Sequence, residues 1–82
     1  MSKTIKADHY LDVTGLYCPE PVMMLHNMIN DVSAGAVVQV VATDPSTERD
    51  VPKFCTFLGH TLLSHEVRED TFIYVVQKSL ES

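Results

Sequence analysis

Clustered positive charge is what this sequence most lacks. Six Lys and Arg residues stand against eleven Asp and Glu, for a formal net charge of −5. The six (Lys3, Lys6, Arg49, Lys53, Arg68 and Lys78) are scattered along the chain. Phosphate backbones are held by grouped Lys and Arg, so direct nucleic-acid binding is not expected. Cysteine is scarce too: Cys18 and Cys55 are the only two, too few for a disulfide scaffold. The longest apolar run, Ala36 to Ala42, is interrupted by Gln39 and falls far short of the roughly 20 residues that span a bilayer. No basic segment followed by an apolar stretch opens the chain. The expectation is a soluble, cytoplasmic protein with no membrane partner. Chemical motifs are also sparse. There is no Cys-x-x-Cys pair, no Gly-rich phosphate loop and no suggestion of a Ser/His/Asp constellation. His9, His26, His60 and His65 form no zinc spacing with either cysteine. No metal and no cofactor is expected.

What is present is a globular composition, 45% hydrophobic and 21% charged over 82 residues, which excludes a disordered chain. That length predicts a single domain over 1–82, with one core and two layers instead of a deep cavity. Residues 1–7 are polar and are expected to fray. His9 to Val13 alternates as a short strand, with Leu11 and Val13 on one face. Pro19 to Val32 carries Val22, Leu25, Ile29 and Val32 on one helical stripe, with Pro19 suited to the first helical position and Gly35 following the stop. Val37 to Ala42 is apolar on both faces, as in an interior strand. Asp44 and Pro45 read as the cap and first residue of a second helix. Its stripe is Val51, Phe54, Cys55 and Leu58, ending at Gly59, with a kink or irregular turn expected before Pro52. Thr61 to Val67 and Phe72 to Lys78 read as an antiparallel hairpin joined by residues 68–71. The order β-α-β-α-β-β predicts an α/β two-layer (α+β) sandwich: a four-stranded mixed sheet, its first two strands parallel, with both helices on one face.

The informative stretch is Gly15-Leu16-Tyr17-Cys18-Pro19-Glu20-Pro21. A cysteine just before a first helical turn sits in the positive end of the helix dipole, which favours thiolate. Pro19 and Pro21 stiffen that turn but donate no N–H, and a nearby Glu20 carboxylate opposes ionisation. The net expectation is an accessible thiol of modestly lowered pKa. Cysteine is also among the most buried residue types, so a merely capping or packing Cys18 stays open. Cys55, mid-stripe on the second helix, reads as a small core residue. Met24 and Met28 stand four apart, off the core stripe of the first helix, either packing at its edge or offering an adaptable apolar patch.

With those residues in view, the chain resembles the TusA family of sulfur carriers (SirA-like proteins) from about Leu11 to Lys78. The resemblance rests on Leu11-Asp12-x-x-Gly15-Leu16-x-Cys18-Pro19-Glu20-Pro21-Val22-Met23-Met24 and on Asp44-Pro45-Ser46-Thr47-x-Arg49-Asp50-Val51-Pro52, followed by Phe54-Cys55 and Gly59-His60. It implies a sulfurtransferase acting as a carrier. Sulfane sulfur from a cysteine desulfurase would be held as a persulfide on Cys18 and passed to a downstream acceptor, in the tRNA 2-thiouridine pathway by the best-known relay. Pro19, Glu20, Pro21, Asp44 and Asp50 match positions around the carrier cysteine. Some relatives are basic on the exposed face of the first helix, where this chain has His26, Asn27 and Asn30. Docking of the desulfurase is therefore expected through Met24, Met28 and His26. Two other readings remain: an interaction or regulatory module in which Cys18 is only a helix cap, and a thiol redox sensor.

Overall fold

A computed structural model describes residues 7–80. Six elements follow in chain order: β1 (His9–Val13), α1 (Glu20–Asp31), β2 (Val37–Ala42), α2 (Thr47–Leu58), β3 (Thr61–Arg68) and β4 (Thr71–Gln77). Residues 1–6, most of the segment expected to fray, lie outside the described residues. Ala7 is buried, and the Asp8 N–H already bonds Val37 C=O at 2.8 Å.

The four strands form one mixed sheet in the order β1-β2-β4-β3. β1 and β2 are parallel, with His9 opposite Val38 and Val13 opposite Ala42. β4 runs antiparallel to both β2 and β3. The apolar run of β2 is thus flanked on both sides, as its composition predicts. Alternation decides which side chains point to the helices. Leu11 and Val13, Val38, Val40 and Ala42, and Phe72, Tyr74 and Val76 share one face of the sheet. They form a single core with Leu25, Ile29 and Val32 from the α1 segment and Val51, Phe54 and Cys55 from α2. Both helices therefore lie on one face, the α+β sandwich anticipated from element order.

Several details differ from the sequence reading. α1 starts at Glu20 with Pro19 at the N-cap, so Cys18 precedes the cap, and Val22 only borders the core. α2 starts at Thr47, not Pro45. Residues 44–49 first wind through tighter i→i+3 bonds, Thr47 N–H to Asp44 C=O and Glu48 N–H to Pro45 C=O among them. The expected break before Pro52 is absent, and α2 runs unbroken through it. The carbonyl that Pro52 leaves without a donor belongs to exposed Glu48, where water can serve it. Leu58 is exposed instead of joining the core stripe. Gly59 ends α2 in the left-handed conformation (φ 80°), which glycine adopts without strain. The β3–β4 connection tightens to Glu69-Asp70, with Arg68 paired to Thr71, and a register shift at Leu62–Ser64 sets Leu63 on the exposed edge strand.

One buried polar link anchors α2 to the sheet. The Tyr74 hydroxyl is 2.7 Å from Thr47 Oγ1, which donates to Asp44 C=O at 2.7 Å. Burial, opposed by this bond, holds the Tyr74 phenol above its ordinary pKa.

Leu25 has no exposed surface, whereas Phe57 is 85% exposed. Leu25→Ala is expected to cost about 3 kcal/mol and Phe57→Ala less than about 0.5 kcal/mol. Denaturant titration of the two variants checks this contrast, and equal losses would refute the assignment of Leu25 to the core.

Candidate functional site

The loop after β1 and the turn after β2 meet because their strands are parallel neighbours, so both connections into the helices leave the same end of the sheet. Thr43 Oγ1 accepts the Gly15 N–H at 2.9 Å. Asp44 makes the stronger link. Its Oδ2 accepts the Cys18 N–H at 2.6 Å and the Ser46 hydroxyl at 2.8 Å, and its Oδ1 accepts the Ser46 N–H at 3.1 Å. The carboxylate is itself buried. Three donors on one carboxylate hold its pKa below the usual value, the Ser46 and Cys18 N–H groups contributing most. Asp44 is not the cap of α2 that the sequence suggests, since Ser46 holds the N-cap and makes no side-chain cap hydrogen bond; it ties the turn before α2 to the start of α1 instead.

Cys18 is exposed and its thiol is free. The sulfur faces Asp50 in the first turns of α2, donating to Oδ2 at 3.4 Å. The other Asp50 oxygen accepts the Arg49 Nε–H at 3.1 Å. The expectation of a lowered thiol pKa is overturned. The Asp50 hydrogen bond foremost, then desolvation and the Asp50 and Asp44 charges, push the thiol above its ordinary value, against a smaller opposing contribution from Ser46. The dipole argument fails for a local reason. The donors that would face the sulfur are missing at Pro19 and Pro21, and the Glu20 N–H is taken by Tyr17 C=O at 2.9 Å. The carboxylate that matters is Asp50, 32 residues away, and not the neighbouring Glu20.

The other sequence candidates separate. Pro21 is buried, while Pro19 and Glu20 are exposed. His26 is exposed and meets the Phe54 ring edge-on at 5.8 Å. Met24 is exposed, but Met28 packs against the core and Met23 stands in the open instead. The α1 surface therefore presents Met23 and Met24, not the Met24–Met28 pair. Met23 and His26 line a shallow depression of about 250 Å³ with Val22 and Asn27. Cys55 is buried, and burial raises its thiol to about 11.

Sequence reasoning missed the groove beside Cys18. An open apolar trough of about 350 Å³ runs between the helices, lined by Pro19, Val22, Phe54 and Phe57, with Asp50 and Lys53 as its charged side chains. Its signal is present in α2: Asp50, Lys53, Phe54 and Phe57 follow at i, i+3, i+4 and i+7, one helical face beside the core stripe. Among the described residues no cluster of three or more His, Cys, Asp and Glu is placed to hold a metal ion. No helix among them is long and apolar enough to cross a membrane.

Fold and site together define a small two-layer α+β domain with one accessible cysteine at the helix-bearing end of its parallel strand pair. A SirA-like protein from Desulfitobacterium hafniense shares the fold with a TM-score of 0.77 at 18% identity, over 87% of this chain and 97% of that one. The family model described as Sulfurtransferase TusA matches residues 9–78. Sulfur carrier protein TusA of Pseudomonas syringae pv. syringae (strain B728a) is 53% identical over 76 residues, 93% of this chain and 90% of that protein. The protein of the same name from Pseudomonas aeruginosa (strain LESB58) is 51% identical over 78 residues, 95% of this chain and 99% of its own. The chain belongs to the TusA family of sulfur carriers.

Two outcomes follow from this geometry. Native-state alkylation with excess iodoacetamide is expected to label Cys18 alone, with Cys55 reacting only after unfolding; two adducts on the folded protein would contradict the buried Cys55. Because Asp44 has a depressed folded pKa, its stabilisation is present above its unfolded value near 3.8 and is lost as pH falls through the folded value. Asp44→Ala should lower the unfolding midpoint at neutral pH and flatten the acid limb of the stability profile below about pH 4. An unchanged acid limb would show that Asp44 makes no net contribution.

Proposed function

We propose that the chain is a sulfurtransferase that carries sulfane sulfur as a persulfide on Cys18, receiving it from a cysteine desulfurase and delivering it to a downstream acceptor protein. The observation that carries this reading is an exposed thiol whose own backbone is pinned by Asp44, at the rim of an open apolar groove. A carrier needs an accessible sulfur in a defined place and no enclosed pocket, since each transfer takes place inside a complex with a larger partner. In loading, the Cys18 sulfur attacks the outer sulfur of the donor's persulfide. The donor S–S bond breaks, its cysteine leaves with the electron pair, and the proton lost from Cys18 balances the one that cysteine takes up. Delivery repeats the exchange in the opposite sense, so no oxidant or reductant is consumed.

The acceptor we favour belongs to the tRNA 2-thiouridine pathway, as family resemblance implies. A net charge of −5 with dispersed basic residues supports handing the sulfur to a protein, not directly to RNA. The desulfurase is expected to dock over the adaptable apolar side chains of Met23 and Met24, with the His26 imidazole beside them. Glu20, exposed on the first turn, lies at the rim of that surface. The helix-cap alternative has little support, because Pro19 occupies the N-cap and α1 has no side-chain cap hydrogen bond.

Incubation with a cysteine desulfurase and cysteine, followed by intact-mass spectrometry, tests the reading. Wild type and Cys55→Ser should gain one sulfur atom that reductant removes, and Cys18→Ser should gain none. Absence of the adduct from wild type would shift the assignment to an interaction module. Met23→Ala/Met24→Ala should weaken desulfurase binding by about tenfold, on the order of 1.4 kcal/mol, measurable by titration calorimetry. Unchanged affinity would remove those methionines from the docking surface.

A further inference from the structure

The Cys18 groove holds two opposite charges with different relations to the sulfur. Asp50 accepts a hydrogen bond from the thiol at 3.4 Å. Lys53 lies one helical turn further along the same face of α2 and lines the same trough. Between and around them the lining is Pro19, Val22, Phe54 and Phe57, none of which can hold an anion through its side chain.

An empty and a loaded Cys18 make different demands on this site. The thiol is a neutral donor, and a carboxylate is a good acceptor for it. Adding one sulfur moves the reactive end outward by one S–S bond, about 2.05 Å. It also makes the group more acidic, since a hydropersulfide is a stronger acid than its parent thiol, so the loaded end is an anion near neutral pH. An anion cannot occupy the Asp50 contact without like-charge repulsion in a partly desolvated setting. It is driven along the trough, where Lys53 is the available cation. The remaining charged groups near the sulfur do not compete for it. Asp44 faces the Cys18 backbone from the turn before α2, Arg49 is engaged with Asp50 Oδ1, and Glu20 in the first turn of α1 is another anion.

We propose that Asp50 and Lys53 divide the two states of Cys18 between them: the Asp50 carboxylate seats the empty thiol, and the Lys53 ammonium seats the terminal sulfur of the loaded persulfide. Both are positioning residues. Asp50 keeps the unloaded carrier protonated and quiet toward adventitious electrophiles. Lys53 holds the outer sulfur over the apolar trough, displayed to an acceptor. This division rests on Cys18 being the persulfide site.

The test separates the two states chemically. A Cys55→Ala background leaves one cysteine, and inorganic polysulfide loads it without any partner enzyme. Iodoacetamide alkylation rates of empty and loaded protein are then followed against pH by intact mass, for the parent, Asp50→Asn, Lys53→Met and Lys53→Arg. Asp50→Asn should lower the thiol midpoint and speed alkylation of the empty form at pH 7. The expected gain is about threefold for every tenfold rise in the thiolate fraction, because a more acidic thiol gives a weaker nucleophile. Lys53→Met should leave the empty profile in place and raise the midpoint of the loaded form, and Lys53→Arg should restore it. A loaded profile unmoved by Lys53→Met, or an empty profile that moves as far as the loaded one, overturns the proposal. Failure of a desulfurase to load Cys18 would instead count against the carrier reading, and the polysulfide-loaded profiles would still decide this one.

Discussion

The site depends on one carboxylate. Asp44 sits where β2 turns into α2, and by accepting the Cys18 N–H it fixes the start of α1 against the start of α2. Its other bonds go to Ser46, which shapes the tight turn from which α2 departs. Remove that bridge and the two helices still share a hydrophobic core, but the polar links left between the segments that start them are the Gly15–Thr43 hydrogen bond and the long Cys18–Asp50 contact. The 3.4 Å contact between Cys18 and Asp50 is a consequence of that bridge. Parallel pairing of β1 with β2 makes the bridge possible, because parallel neighbours deliver both helix starts to the same end of the sheet.

The Asp50 contact that accompanies the bridge pushes the thiol above its ordinary pKa. Helix-terminal cysteines are acidified when free N–H groups point at the sulfur. Here prolines remove two of those donors, Tyr17 C=O takes a third, and Asp44 takes the N–H of Cys18 itself. What remains is a carboxylate at hydrogen-bond distance, which favours the protonated form. For an exposed cysteine at the rim of an open groove, a low thiolate fraction limits reaction with stray electrophiles. Neutralising or displacing the Asp50 carboxylate would favour the thiolate.

Much of the fold is legible in the sequence because its determinants are local. The stripe of Leu25, Ile29 and Val32, the two-sided apolar run of β2 and the stop at Gly59 each depend on residues a few positions apart. The sandwich follows from their order. Sequence reasoning fails where a distant residue decides. Asp44 is legible as part of the turn that starts α2, though Ser46 is the cap; its hold on Cys18 spans 26 positions, and the Asp50–Cys18 contact spans 32. Those two links reverse the direction of the thiol pKa. Helical phase alone does not tell how far the core extends sideways, so it misplaces Met28, which packs at the edge while Met23 is open. Pro52 looks like a break in the sequence, yet its cost depends on whether the carbonyl it orphans can reach water, which only the exposure of Glu48 shows.

The groove beside Cys18 connects stability to function in a chain of this size. A small domain buries a modest share of its surface, and it is apolar side chains grouped along one groove, not scattered ones, that are informative. Phe57 contributes little to the core, being 85% exposed, while Phe54, one position beyond Lys53, is buried between the rings of His26 and His60 at 5.8 and 5.7 Å. The same helix thus turns one aromatic inward as a rigid floor and leaves the other as an open wall. His60 is held neutral toward lower pH by burial, with the Lys78 and His26 charges adding to it. Its Nδ1 accepts the Ser79 N–H at 2.9 Å, so the floor is braced from the chain's last described turn. A trough with a buried floor and an exposed wall leaves Cys18 open to solvent. Covering that wall would bury Phe57 without repacking the core, so the exposed aromatic costs the fold little and leaves the face beside Cys18 free.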